Sequence, residues 1–214
     1  ISKLSINMFI HNKYILASSS KSRKEILKKS GFNFRQVKPR CDEEKIKKQL
    51  INKKKSPGYI AKKLSFEKAI SVSKVNQYSK SLVLGCDTLI FFNNSIIDKA
   101  KNLQQAKRKI LSFSGKEHKI ISGLTICKNG KKLWQCLSTT NVKIRNLTES
   151  NVDIYLKKNG KQILQSVGCY QIEALGPNII EDIRGDFFNV MGLPLFKLLK
   201  HILSNDEKVF SSRK

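Results

Sequence analysis

The chain has 214 residues, of which 40% are hydrophobic and 27% charged, and this length suits one α/β domain of two lobes or two small domains. No apolar run approaches the roughly 20 residues of a membrane-spanning helix, which excludes a helical membrane protein. The formal net charge is +26, but only seven of the 42 basic residues are arginine, and lysine occurs in almost every segment. Nucleic-acid binding therefore stays open only as an alternative, because sequence-specific readers use arginine and concentrate their charge on one face.

The two ends of the sequence are predicted to lie outside the folded domain. Ile1 begins the sequence and Met8 precedes the first apolar run, so we expect residues 1–12 to be a disordered extension or to include a mis-assigned start. A single domain is expected at residues 13–204, followed by a flexible tail at 205–214. The five cysteines are scattered and form no CxxC pair, which favours a reducing cytoplasm over a zinc site or a disulfide framework.

The first predicted elements are a buried strand, Tyr14 to Ala17, and a helix that follows it. Ser20 is the expected N-cap of this helix and Gly31 its C′ residue. A strand that turns directly into a helix presents free backbone N–H groups and a positive helix dipole, which suit an anion such as phosphate. The alternative is an ordinary capped helix with solvated lysines.

The next segment combines rare acids with many lysines. A second strand is predicted from Asn33 to Val37, and Asp42-Glu43 follows its end, before the lysine-rich stretch from Lys45 to Lys55. Ser56-Pro57 indicates a helix start, with serine as N-cap and proline at the first helical position. Apolar residues then recur at helical spacing, and Lys68 falls on this helix.

Leu82 to Phe92 is the most apolar stretch and is predicted to be a central strand. Asp87 interrupts it, and a lone carboxylate in a buried strand is costly unless it is paired, neutralised or bound to a metal. Gly85 indicates that another group approaches the backbone closely. The alternative is a partly exposed strand end, with Asp87 bonded to backbone N–H groups.

The remaining elements are predicted from turn and cap signals. Asn129-Gly130 is a strong hairpin signal between two β-rich runs. In chain order, these predictions are a helix at Leu103 to Phe113 after Asp98-Lys99 and ended by Ser114-Gly115, strands at 117–128 and 131–145, a helix from Thr148 to about Asn159, a loop at 168–176, a strand at 177–183, a turn at 184–186 and a last helix entered by Gly192-Leu-Pro-Leu195.

Eight stretches occur in the order and at the spacing of one protein family. They are Leu16-Ala-Ser-Ser-Ser-Lys-Ser-Arg-Lys-Glu-Ile-Leu27, Asp42-Glu43, Glu67-Lys68-Ala69, Leu84-Gly-Cys-Asp-Thr88, Asp98-Lys99, Leu111-Ser-Phe-Ser-Gly115, Gly168-Cys-Tyr-Gln-Ile-Glu173 and Gly192-Leu-Pro-Leu195. The ordered set covers the chain from about Tyr14 to Leu203 and resembles the Maf family of nucleoside triphosphate pyrophosphatases.

The resemblance implies an α/β fold with a twisted mixed sheet flanked by helices, an active-site cleft between two lobes, and often a homodimer. It also implies cytoplasmic hydrolysis of a nucleoside triphosphate between the α- and β-phosphates, giving the monophosphate and diphosphate with Mg²⁺ or Mn²⁺. Carried over by motif, the phosphate-binding residues are Ser20, Arg23, Lys68 and Lys99, and the residues for the metal and the attacking water are Glu43 and Asp87, with Asp87 as the proton acceptor.

Two departures from the family pattern affect the expected site. The usual Ser-Pro-x-Arg-Arg is Ser20-Lys-Ser-Arg-Lys24 here, and the usual Lys-Pro is Lys99-Ala100. Lysine lacks the bidentate fork of arginine, which weakens the case for phosphate binding at Lys24. Neither change removes a carboxylate.

Three positions bear on which base is bound. Glu173 stands where dTTP and UTP pyrophosphatases of the family carry Gln and 7-methyl-GTP pyrophosphatases carry Glu. An ionised Glu only accepts hydrogen bonds, so it suits the guanine edge, where N1–H and the 2-amino group both donate. Ser22 and Thr88 do not agree with that assignment, and the guanine type is favoured over dTTP and UTP on Glu173. The alternatives are a solvent-facing Glu173 and a nucleotide-sensing protein without turnover.

Overall fold

A computed structural model describes the backbone of residues 14–211 and the side chains of residues 14–204. Its helices are α1 (Lys21–Lys29), α2 (Glu43–Asn52), α3 (Pro57–Ser73), α4 (Leu103–Phe113), α5 (Glu149–Asn159), α6 (Phe187–Val190) and α7 (Leu195–Ser211). Its strands are β1 (Tyr14–Ala17), β2 (Phe34–Val37), β3 (Leu82–Phe92), β4 (Ser95–Ile97), β5 (Glu117–Lys128), β6 (Lys131–Ile144) and β7 (Ile180–Arg184). The extension expected at residues 1–12 lies outside the described residues, and α7 continues to Ser211, within the segment expected to be a tail.

The strands form one mixed sheet of seven strands. Their hydrogen-bonded order is β2-β1-β3-β5-β6-β7, and β4 pairs with β3. β1 runs parallel to both β2 and β3, whereas the β3–β4 and β6–β7 pairs are antiparallel. The α/β prediction of a mixed sheet flanked by helices is therefore confirmed.

The chain divides into two compact units. Unit 1 consists of the described residues up to Asp87, of Ser122–Ser138 and of the described residues from Gly192 onward. Unit 2 consists of Thr88–Ile121 and Thr139–Met191. Each unit is therefore built from segments that are separated in the sequence.

Within unit 1, helix α3 lies directly against the sheet because two strand glycines have no side chain. A Cβ on Gly85 would be 2.2 Å from the carbonyl oxygen of Ser65, and a Cβ on Gly123 would be 2.4 Å from that of Ala61. Either distance is far below a real contact, so the close approach predicted at Gly85 is confirmed, and the approaching group is the backbone of α3.

Unit 2 has its own hydrophobic core around α4 and α5. Phe92, Phe113 and Ile144 are among its buried members. The same core holds a polar pair, since His118 and Tyr170 are hydrogen-bonded at 2.6 Å between ring Nε2 and hydroxyl. His118 also stacks on Phe113, with ring centroids 4.6 Å apart.

Most boundaries were predictable from local chemistry. Ser20, Ser56 and Thr148 cap α1, α3 and α5, each accepting a backbone N–H with its side-chain oxygen. Asn129 and Gly130 both have positive φ, 46° and 69°, as the predicted two-residue hairpin turn requires.

Three short or atypical elements were not predicted: α2, β4 and α6. Helix α2 follows its N-cap Asp42 but contains no buried residue, so its sequence lacks the continuous apolar stripe that indicates a helix. Within residues 14–211, no helix combines the length and the apolar character needed to cross a membrane.

Candidate active site

The parallel strands of unit 1 bring two predicted motifs to the same edge of the sheet. Ala17, at the end of β1, pairs with Gly85 of β3. Ser18 to Ser20 continue from β1 into α1, and Asp87 lies two residues beyond Gly85. Because both strands point the same way, Asp87 lies level with the residues that lead from the carboxyl end of β1 into α1, and such strand ends are where α/β proteins bind ligands.

The start of α1 is held by a small hydrogen-bond network. The Ser20 hydroxyl oxygen accepts the backbone N–H of Arg23 at 3.3 Å, and the Ser18 hydroxyl oxygen accepts that of Ser20 at 3.2 Å. The Gln36 side-chain amide donates to the carbonyls of Ser18 and Ser20 at 2.8 and 3.2 Å. The turn is thus fixed from both sides by side chains.

Arg23 is buried, with 8% of its surface exposed. Its Nε donates to the carbonyl of Gly192 at 2.7 Å, and its Nη1 donates to the Ser18 hydroxyl at 3.2 Å. The Cys86 thiol reaches the same Gly192 carbonyl at 3.2 Å. The guanidinium is therefore held in position by two hydrogen bonds to neutral groups.

Lys68 joins the two carboxylates predicted for the site. Its Nζ lies 2.6 Å from Asp87 Oδ1 and 2.7 Å from Glu43 Oε2. Lys68 is 5% exposed and Asp87 7% exposed, whereas 43% of the Glu43 side chain is exposed. Helix α3 supplies the lysine and β3 the aspartate, so the close packing at Gly85 sets the distance between them.

The charges around Lys68 act on its pKa in both directions. Burial lowers it, the charge of Asp87 raises it, the charge of Arg23 lowers it and the charge of Glu43 raises it, with a net pKa above the ordinary value. Lys68 is therefore an ammonium at any physiological pH. Cys41, on the same side of unit 1, has a pKa raised to about 11, chiefly by burial and then by Glu43, so it stays a thiol.

The alternative reading of Asp87 as a partly exposed strand end bonded to backbone N–H groups is wrong. Asp87 is buried within β3, and its hydrogen bond goes to the Lys68 ammonium. Its second oxygen, Oδ2, is buried and has no hydrogen-bond partner among the described residues. A buried orphan carboxylate oxygen beside Glu43 fits a hard divalent cation, which prefers such ligands. Within the described residues no group of three or more His, Cys, Asp or Glu converges, so the protein alone offers two acids.

The other predicted residues lie in unit 2. Thr88 follows Asp87 in β3 and is half-buried, while Lys99 and Glu173 are exposed in loops. Lys109 of α4 donates to the carbonyl of Asp98 and, at 2.9 Å, to that of Val167. One lysine thus ties the loop that carries Lys99 to the chain that leads to Glu173.

The structure gathers Ser20, Arg23, Glu43, Lys68 and Asp87 within unit 1. Sequence reasoning did not single out Ser18, Gln36, Gly192 or Lys109, which hold those residues or their loops in place. Ser18 lay in a noted serine triplet and Gly192 in a noted motif. Gln36, in the short strand β2, and Lys109, in the middle of α4, carry no sequence signal beyond their polarity.

Comparison with known proteins gives one consistent family. The family model described as Maf-like protein matches residues 13–205. A nucleoside triphosphate pyrophosphatase of Caulobacter vibrioides is 34% identical, over 86% of this chain and 91% of its own length. A 7-methyl-GTP pyrophosphatase of Brucella suis is 34% identical over 89% and 94%, and a dTTP/UTP pyrophosphatase of Clostridioides difficile is 34% identical over 86% and 90%.

Proposed function

The chain belongs to the family of Maf-like proteins, and on that premise we propose that it is an enzyme, a nucleoside triphosphate pyrophosphatase. It hydrolyses the bond between the α- and β-phosphates to give the monophosphate and diphosphate. The names of its relatives support the reaction class.

One observation carries the proposal: an ammonium and two carboxylates meet beside a helix start. Lys68 contacts both Asp87 and Glu43, and the charge of Arg23 acts on Lys68. A buried acid with one orphan oxygen can accept the proton of an attacking water, and fixed cations can neutralise a triphosphate. Catalysis of phosphoryl chemistry needs both.

The residues take distinct roles in this proposal. Ser20, Arg23 and Lys68 bind phosphate oxygens, and Lys99 contributes another positive charge. Asp87 holds the proton released by water, and its orientation is kept by Lys68. Glu43 and Asp87 would hold Mg²⁺ or Mn²⁺, which lowers the pKa of bound water and screens phosphate charge.

Resolving the products of a triphosphate panel tests the reaction. We expect a nucleoside monophosphate and diphosphate in equal amounts, and no orthophosphate. A DNA-binding protein would instead yield no diphosphate and would bind duplex DNA tightly at 200 mM salt. A nucleotide sensor would bind nucleotide tightly without turnover.

We further propose that the preferred base is guanine or a 7-methylated guanine rather than thymine or uracil. Glu173 supports this because a carboxylate accepts the two donors of the guanine edge. Pyrimidine carbonyls would face carboxylate oxygens, at a cost of about 1–3 kcal/mol in a desolvated site. The relatives include proteins named for both substrate types, so the choice depends on Glu173 itself.

Exchanging Glu173 for Gln tests the base preference directly. We expect kcat/KM for GTP or 7-methyl-GTP to fall and that for dTTP or UTP to rise in Glu173→Gln. The matched control is Glu181→Gln, another exposed acid of unit 2. A wild-type preference for dTTP that Glu173→Gln leaves unchanged would contradict the proposal.

A further inference from the structure

Lys68 occupies the space between the two carboxylates that are proposed to hold the metal. Its Nζ is 2.6 Å from Asp87 Oδ1 and 2.7 Å from Glu43 Oε2. These are hydrogen-bond distances, so the ammonium already contacts the oxygens that face each other across the site. A divalent cation bound by Glu43 and by the other oxygen of Asp87, Oδ2, would lie within a few ångströms of the lysine.

The charges of this cluster are already balanced. Glu43 and Asp87 contribute two negative charges, and Lys68 and Arg23, whose charges act on each other, contribute two positive ones. A free divalent cation that enters such a cluster is repelled by Lys68 and Arg23 while the two acids attract it. Its net electrostatic gain is small, in contrast to a site of two bare carboxylates.

Lys68 cannot move far from this position while both acids remain its partners. It is 5% exposed, and its helix is seated on β3 by the contact at Gly85. Lys68 can leave these two carboxylates only if another anion accepts the hydrogen bonds of its ammonium group. A polyphosphate offers such oxygens and arrives with the cation as a complex of net negative charge.

We propose that Lys68 prevents free divalent cations from binding to the carboxylate pair. The pair binds a divalent cation only when the cation arrives together with a polyphosphate. This inference rests on the proposed function for the identity of the polyphosphate. The exclusion of the free cation rests on the position of Lys68 and on the positive charges at the site. The protein would therefore carry no tightly bound metal before substrate arrives.

Binding of Mn²⁺ alone, followed by the electron paramagnetic resonance signal of the free ion, tests the exclusion. Wild type should bind Mn²⁺ only at millimolar concentration, and Lys68→Met should bind it at least about tenfold more tightly. Adding Asp87→Asn to Lys68→Met should return the affinity to the wild-type range. Lys63→Met is the matched control, because Lys63 lies on the same helix and pairs with Glu67 at 2.5 Å. The Mn²⁺ affinity of this variant should equal that of wild type.

Wild type alone gives a second readout that does not depend on how the variants fold. Mn²⁺ by itself should leave the melting temperature unchanged, whereas Mn²⁺ with inorganic triphosphate should raise it more than triphosphate alone. Tight binding of Mn²⁺ to wild type, or equal melting shifts with and without triphosphate, would overturn the proposal. Since the Mn²⁺ measurements contain no nucleotide, they stand whether or not the protein hydrolyses one.

Discussion

Asp87 has one oxygen bonded to Lys68 and one buried oxygen without a hydrogen-bond partner among the described residues. The two oxygens therefore have different tasks. The first keeps the carboxylate oriented, and the second is available to a water or a cation. A purely structural ion pair would gain nothing from an orphaned oxygen, because burial of an unpaired polar atom costs free energy.

Asp87→Asn separates these tasks. The amide keeps nearly the same shape but accepts no proton, so we expect kcat to fall about 10²-fold or more. Circular dichroism should show an unchanged fold. The control is Asp153→Asn, which breaks the exposed pair with Lys107 and should leave kcat unchanged. A variant with nearly normal kcat and a strongly lowered melting temperature would assign Asp87 a structural role.

His118 gives the protein a specific response to acid. Burial lowers the pKa of His118 to about 4. In the unfolded chain the same imidazole is protonated near pH 6.5, whereas in the folded protein it stays neutral at that pH. The unfolded state then binds more protons between these values, and the free energy of unfolding falls as the pH drops from about 6.5 to 4. The loss from this one group is roughly 3 kcal/mol.

Urea unfolding at several pH values checks this, with His118→Gln as the comparison. The variant should be less stable at pH 7, because it loses the bond to Tyr170 and the stack on Phe113. Its stability should nevertheless depend less on pH between 4 and 6.5. Equal pH dependence in both proteins would show that His118 is not the responsible group.

Residue identities in the site were predictable because the motifs occur in order, but their supports were not. Lys68 and Asp87 are 19 positions apart and meet only through the packing of α3 on β3. Gln36 and Lys109 act on backbone carbonyls, and such contacts leave no pattern in a sequence. Only the structure shows these contacts between residues that are far apart in the sequence.

At the scale of elements, the packing of α3 against β3 determines the position of Lys68. Gly85→Ala would place a Cβ 2.2 Å from the Ser65 carbonyl and 2.6 Å from the Ala69 amide. These are backbone atoms that cannot rotate away, so the helix must shift. We expect a loss of about 1–3 kcal/mol in the free energy of unfolding and a lower kcat, because Lys68 moves away from Asp87.

Gly58→Ala is the comparison for that change, measured by urea unfolding and by kcat. Its added Cβ would meet the Leu137 Cδ2 at 2.8 Å, the end of a flexible side chain that can turn aside. Stability and kcat should both stay near the wild-type values. Normal kcat in Gly85→Ala would show that the helix position does not govern the site.

Elements with caps and apolar periodicity were predicted, and elements that lack an apolar stripe were not. Helix α4 was predicted at Leu103 to Phe113 and has those bounds, and α3 begins at Pro57 as predicted. α2 carries Glu43 in its first turn but packs without burying a residue. Its helical form is favoured by the Asp42 cap and first-turn acids rather than by a core.

At the scale of the molecule, the charge of +26 acts on every anionic substrate. Lysines spread over the surface attract a triphosphate over a distance that salt shortens. We therefore expect kcat/KM to fall roughly three- to tenfold between 0.05 and 0.3 M salt, with little change in kcat. Steady-state kinetics at matched Mg²⁺ activity would measure both, and a salt-independent kcat/KM would exclude attraction by the surface charge.

The division into units was only partly predictable. Two lobes were expected, but the chain passes from one unit to the other between Asp87 and Thr88, in the middle of the continuous strand β3. No proline, glycine cluster or charge run marks that point. Contacts among segments far apart in sequence define the boundary.

The bond from Arg23 to the carbonyl of Gly192 spans 169 residues. At a synthesis rate of roughly 5–20 residues per second, the ribosome adds Gly192 about 10 to 30 s after Arg23. The nascent chain therefore displays this arginine without its anchoring acceptor until Gly192 has been added. Before that point, the guanidinium cannot hold cellular polyphosphates in the geometry of the folded protein.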